Sequence, residues 1–228
     1  MGKIIFIACD TKNLKKVKKI ISETQGLNFN IGYKFGLEFF NSKNGRAFIE
    51  KIKNKNIWLD LKLFDIPNTV ASSINSLKDL KNVQYLTIHV SGGLKMMQAA
   101  KVAAKKINKN LKVLGVTILT SFSEKELKQT GHTKSIINII KKQIRIIKLA
   151  KLDGIICSGH EAKFIRKNFK KEIITPGIRF VGDQAQDQKR VMTPKIAFKN
   201  GATGIVIGRS VTKGDIKKNI QKLIKSLK

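Results

Sequence analysis

Cysteine, proline, histidine, tryptophan and acidic side chains are all scarce in this 228-residue chain, which has 2 Cys, 3 Pro, 3 His, 1 Trp and 15 Asp plus Glu. The two cysteines, Cys9 and Cys157, stand far apart, with neither a disulfide framework nor a metal-ligand spacing, which fits a reducing, cytoplasmic setting. No second histidine lies at ligand spacing from His89, and His132 and His160 fall in loops or helix starts, so zinc is disfavoured. The amino-terminal apolar run, residues 4–9, is shorter than a signal-peptide core and far short of a membrane span. Phe6 stands where a myristoylation signal needs Ser or Thr. Gly-x-Ser-x-Gly and GxGxxG patterns are missing, which weakens hydrolase and dinucleotide readings. No Pro/Gly linker or shift in composition divides the chain, so one domain over residues 1–228 is expected.

The shortage of acids against 46 Lys plus Arg leaves a formal charge of +31. Such a surface attracts nucleic acid, anionic membranes or anionic metabolites. Its distribution favours a plainer account. Lysines are spread through every predicted helix, as in Lys15, Lys16, Lys18 and Lys19 or Lys217, Lys218, Lys222 and Lys225. Only Lys51, Lys53 and Lys55 alternate tightly, beside asparagine. Solvated helix faces are therefore expected, with no membrane and no specific nucleic acid as partner.

What the chain does have is a repeated alternation. Short β-branched apolar runs at 4–9, 30–33, 57–63, 85–90, 112–119, 154–157, 173–175 and 204–207 are each followed by amphipathic, lysine-rich stretches. These include 14–22, 37–52, 70–80, 94–107, 161–169, 191–199 and 216–227. Continuous apolar strands alternating with helices indicate a parallel sheet covered by helices. Eight units suggest a closed (β/α)₈ TIM barrel, an α/β fold with a usual length of about 250 residues. A doubly wound open sheet is the rival.

Polar residues gather where the strands end: Asp10, Lys34, Asp60 and Lys62, His89, Thr120 and Ser121, Ser158, Pro176 to Arg179, then Gly208 and Arg209. In such barrels the active site lies at those ends, and phosphate often binds after strands seven and eight, where this chain has an Arg and a Gly-Arg pair. The densest cluster is IWLDLKLFDIPNTV at 57–70, which packs Asp60, Lys62 and Asp65 into six positions after a buried strand. Strand alternation puts Asp60 and Lys62 on one face with Trp58 behind them. Spacing leaves a catalytic group and a structural ion pair equally open. Asp10 and Lys34 favour ligand contact over a strand-end salt bridge, since both face the same mouth. His89 reads as a structural histidine hydrogen-bonded at the barrel rim, Gly92-Gly93 as a tight turn rather than a phosphate cradle, and Cys157 as inert filler. Ser158 lacks an evident base.

The segment DLKLFDIPNTV at 60–70 resembles the signature of the orotidine 5′-phosphate decarboxylase family. Further similarity follows in order: KFGLEFF at 34–40, LTIHVSGG at 86–93, LGVTILTS at 114–121, TPGIR at 175–179, QDQKRVMTP at 186–194 and GIVIGRSVT at 204–212. DIPNT separates this family from sugar-phosphate relatives on the same barrel. Such relatives, sugar-phosphate decarboxylases or aldolases needing Mg²⁺, are the alternative within enzymes, and a basic nucleic-acid-binding protein is the alternative outside them.

The resemblance implies decarboxylation of orotidine 5′-phosphate to uridine 5′-phosphate in pyrimidine nucleotide synthesis, without a cofactor. It implies a charged network of Lys34, Asp60, Lys62 and Asp65, with Lys62 as proton donor and Asp65 contributed by the partner subunit of a homodimer. Asp10 and Lys34 are then expected on ribose hydroxyls, Thr69 on the nucleotide of the neighbouring chain and Thr120 on the pyrimidine ring. Arg179, Gln188, Gly208 and Arg209 are expected around the phosphate, with Gln188 closing over it. Two departures stand out: Gln186 replaces the first acid of the usual DDQ, and Cys9 replaces a small apolar residue before Asp10.

Overall fold

Every residue of β1 (Ile4–Ala8) is buried, yet its side chains go to two different places. Ile4, Phe6 and Ala8 enter a small interior cluster with Trp58, Tyr85, Leu114, Val116, Ile156, Ile174 and Val206. Ile5 and Ile7 join the larger apolar layer between sheet and helices. Both faces of the strand are covered, which is why the runs read as continuous rather than alternating hydrophobicity. The computed structural model describes residues 3–27, 29–183 and 190–227.

The further strands are β2 (Asn30–Gly36), β3 (Asn56–Leu63), β4 (Val83–His89), β5 (Lys112–Val116), β6 (Gly154–Ile156), β7 (Glu172–Ile178) and β8 (Gly204–Ile207). They pair in parallel in sequence order, and β8 returns to β1 with Ile4 opposite Gly204 and Ile5 opposite Ile205. The sheet is therefore a closed barrel with helices between strands, and the open-sheet alternative is set aside. Phe6 fills its centre edge-on to Trp58 and Tyr85, with ring centroids 4.9 and 5.1 Å away. Gly32 makes the space: a Cβ there would lie 2.5 Å from the Phe6 ring.

Helix Leu14–Thr24 buries Val17, Ile20 and Thr24 and leaves Lys15, Lys16, Lys18 and Lys19 exposed. Helix Ile216–Leu227 buries Ile216, Ile220 and Leu223 and exposes Lys217, Lys218, Lys222 and Lys225. These lysines occupy solvated helix faces, as their spacing suggested. Among the described residues no helix is long and apolar enough to cross a membrane.

Several boundaries differ from the sequence pattern for local reasons. The expected helix over 37–52 is two, Leu37–Phe40 and Gly45–Lys51. The break is a tight turn in which Ser42 donates to the Phe39 carbonyl at 2.7 Å and a Cβ on Gly45 would strike that same oxygen. Helix Pro67–Asn75 starts earlier than the apolar pattern, because Pro67 is pre-set for a first helical position. Helix Pro194–Lys199 starts later than expected, since Met192 is held in an isolated bridge to Ile178. Ser158 caps helix Gly159–Asn168 by accepting from His160 N, which gives that serine a structural role.

Candidate active site

The carboxyl ends of the strands surround a cavity of about 450 Å³. Its charged wall comes from β1, β2 and β3, in the residues Asp10, Lys34, Asp60 and Lys62. Lys34 and Asp60 are buried at 7% and 8% exposure, which only a fully paired network tolerates. Lys34 Nζ donates to Asp10 Oδ1 at 2.9 Å and sits 3.3 Å from Asp60 Oδ2. Lys62 Nζ donates to the same Asp60 Oδ2 at 2.8 Å, and Thr87 Oγ1 donates to Oδ1 at 2.8 Å. One carboxylate thus lies between two ammonium groups with its other oxygen pinned by a hydroxyl.

Burial alone favours a neutral acid at Asp60, but the charges of Lys34 and Lys62 and the hydrogen bonds from Lys62 and Thr87 outweigh it, so its pKa is lowered. Burial likewise disfavours the Lys34 ammonium, yet Asp60 and Asp10 prevail and its pKa is raised. Both groups are held in their charged forms across neutral pH.

The expected same-face placement of Asp60 and Lys62 is achieved differently from a plain strand. Lys62 has φ 48°, in the left-handed region that a side chain with Cβ disfavours. Pairing slips at the same place: Leu59 is opposite Leu86 while Leu63 is opposite Ile88, so the end of β3 bulges. Thr87 stabilises this conformation by accepting Lys62 N–H at 3.1 Å. It is fully buried and links the strained backbone to Asp60 through one hydroxyl. Sequence reasoning passed over Thr87. Its signal was a hydroxyl two residues beyond the inward-facing Tyr85, on the face that also leads to His89.

Asp65 lies outside this cluster. It is exposed, with Oδ1 accepting the Ile66 N–H at 2.6 Å. Thr69 is exposed too, and neither lines the cavity of its own chain. On either side of Asp65 the segment presents Phe64 and Ile66 to solvent, 62% and 66% exposed. His89 packs its ring against Phe64, centroids 5.7 Å apart, and the rim hydrogen bond expected for it is not among the contacts of the described residues. Burial and then the Lys62 charge lower its pKa against the pull of Asp60.

The opposite wall carries Thr120 from the loop after β5, Arg179 immediately after β7, and Gly208 and Arg209 after β8. Gly177, at φ 76°, turns the chain within Pro176 to Arg179, and Arg179 itself is 8% exposed with Nη1 donating to the Ile178 carbonyl. Gln188 and Gln186 lie outside the described residues. Cys9 and Cys157 are buried thiols whose pKa values burial drives up, consistent with packing roles. Among the described residues no group of three His, Cys, Asp or Glu side chains is placed to hold a metal ion.

With this geometry in hand, comparison with known proteins is specific. Residues 3–222 match the family described as "Orotidine 5'-phosphate decarboxylase / HUMPS family". A protein of Oenococcus oeni named orotidine 5′-phosphate decarboxylase is 43% identical over 219 residues, spanning 93% of this chain and 92% of the relative. One of Erythrobacter litoralis with the same name is 39% identical over 219 residues, spanning 94% of each. The crystal structure of orotidine 5′-phosphate decarboxylase from Lactobacillus acidophilus superposes with a TM-score of 0.82 at 30% identity, covering 99% of both chains. On the match of family, relatives and barrel together, the chain belongs to the orotidine 5′-phosphate decarboxylase / HUMPS family.

Proposed function

We propose that the cavity binds orotidine 5′-phosphate and that Lys62 delivers the proton that replaces its carboxylate, giving uridine 5′-phosphate and CO₂. The observation that carries this reading is the Asp60 carboxylate held between the ammonium groups of Lys34 and Lys62 in a chain of this family. Breaking the C6–carboxylate bond leaves an electron pair in the plane of the pyrimidine, where the ring cannot delocalise it. A fixed positive charge beside C6 stabilises that pair as it forms. The Lys62 ammonium then gives C6 a proton and is reprotonated from solvent, so no external electron acceptor enters the balance. Asp60, anchored through both oxygens, cannot swing away from a second carboxylate brought next to it, which raises the energy of the bound substrate relative to the transition state.

In this assignment Asp10 and Lys34 hold ribose hydroxyls, Thr120 contacts the ring, and Arg179, Gly208 and Arg209 receive the phosphate. Asp65 and Thr69 complete the site of a second subunit in a homodimer. Their exposure together with that of Phe64 and Ile66 supports this, because an apolar pair flanking an acid suits burial against a partner.

The test is loss of orotidine 5′-phosphate absorbance on adding purified protein in EDTA, which also separates this chemistry from the Mg²⁺-dependent sugar-phosphate alternative. No absorbance change refutes the assignment. Lys62→Ala should abolish turnover while uridine 5′-phosphate still binds. Retained turnover would remove Lys62 from the proton-donor role.

A further inference from the structure

We propose that Arg190 is a positioning residue that couples the phosphate side of the cavity to its ring side. Its side chain is largely enclosed, 13% exposed, and reaches across the ends of two neighbouring units of the barrel. Nη2 donates to the carbonyls of Leu119 and Ile118 at 3.0 and 3.3 Å, on the backbone that leads directly into Thr120. Nη1 pairs with Glu161, in the first turn of helix Gly159–Asn168 that follows β6. Two residues on, Met192 N donates to the Gly177 carbonyl at 3.1 Å and the Met192 carbonyl accepts Arg179 N at 3.0 Å. Residues 190–192 therefore strap together the ends of β5, β6 and β7, with Thr120 fixed at one end and the Arg179 backbone at the other.

The way Arg190 is used points to positioning rather than to simple charge neutralisation. Arginine and a carboxylate ordinarily pair through two parallel bonds. Here the guanidinium gives up that fork: Arg190 Nε and Glu161 Oε2 are both buried without a hydrogen-bond partner, while Nη2 is turned to the two carbonyls of the β5 end. Burial raises the Glu161 pKa and the Arg190 charge opposes it, so the anchoring acid depends on the residue it anchors. A phosphate drawn onto Arg179 then tightens a segment that cannot move without the backbone under Thr120.

This rests on the assignment of Arg179 to phosphate and Thr120 to the ring, and the experiment separates the two claims. Arg190→Lys retains a charge for Glu161, but one ammonium cannot also serve both carbonyls. Its kcat/KM with orotidine 5′-phosphate should fall about tenfold, chiefly in kcat, with less than about a twofold change on orotidine lacking the phosphate and a Tm close to that of the unaltered protein. Equal losses on both substrates, or no loss on the nucleotide, would overturn the coupling. Arg190→Met combined with Glu161→Gln removes the buried charge together with its partner, so a folding defect from an orphaned acid does not mask the result; the same selective loss is expected. In parallel, Arg179→Ala should erase much of the preference for the phosphorylated substrate. If that preference persists, the phosphate assignment falls and the coupling with it; if only the Arg190 variants behave indifferently, the coupling alone is wrong.

Discussion

Replacing Thr87 by valine keeps the shape of a fully buried side chain and deletes one hydroxyl with two bonds. The bond to the Asp60 carboxylate is of a kind that contributes about 1.5–3 kcal/mol, and the stranded Lys62 N–H adds a penalty of about 1–3 kcal/mol. Not all of this appears as lost stability. Lys62 sits at φ 48°, and leaving the left-handed region returns about 1–2 kcal/mol. The net loss in unfolding free energy should thus be about 3 kcal/mol, read from the urea midpoint. Catalysis has no such compensation, because the relaxation that relieves the backbone also moves the ammonium away from Asp60. A fall in kcat of about a hundredfold, about 2.7 kcal/mol of barrier, is expected from initial rates of absorbance loss. Thr87→Ser restores the oxygen and should recover most of the rate. If Thr87→Val turns over within about threefold of the unaltered protein, the strained lysine is not held by Thr87 and the mechanism of positioning is wrong.

Other outcomes follow from the same geometry. Mixing inactive Lys62→Ala with inactive Asp65→Asn subunits should restore about a quarter of full activity, since half of the dimers then carry one intact site of two; no recovery would mean that Asp65 does not serve a partner. Orotidine without its phosphate should show a severely lowered kcat/KM, because remote binding energy no longer contributes to closure and exclusion of water; near-equal rates would refute the role given to Arg179 and Arg209. His89 has its folded pKa depressed below the ordinary 6.5, so below that value the unfolded chain binds a proton that the folded chain does not. Stability should accordingly rise with pH toward 6.5, and His89→Phe, which keeps the contact with Phe64, should flatten that slope in urea titrations.

The barrel was legible because each strand carries its own apolar run, and polar residues break those runs only where the strands end. Asp10, Lys34, Asp60 and Lys62 could be placed around one mouth on that basis alone. Their mutual geometry could not. Strand alternation assumes regular pairing, whereas Lys62 reaches the cavity through a bulge and a left-handed backbone, both created by contacts with β4 some 25 residues away. Asp65 shows a different limit: spacing alone packs it with Asp60 and Lys62, while the turn into helix Pro67–Asn75 carries it to solvent, away from the cavity of its own chain. Arg190 was invisible for a related reason. It lies inside the QDQKRVMTP motif, but only folding reveals that its partners are Glu161 and two carbonyls some 70 residues upstream.

Trp58 is the one tryptophan of the chain, and it stands at 1% exposure in the floor of the cavity with Phe6 against its ring. The protein therefore contains a single indole chromophore, lining the same cavity as Asp60 and Lys62 and shielded from bulk water. Excited at the red edge of its absorption, where the two tyrosines contribute little, its emission reports on one site without labelling. A nucleotide entering above it, or a shift of Asp60 two residues along the strand, changes the field that this indole senses, so occupancy of the site can be followed by light even in variants that no longer turn over.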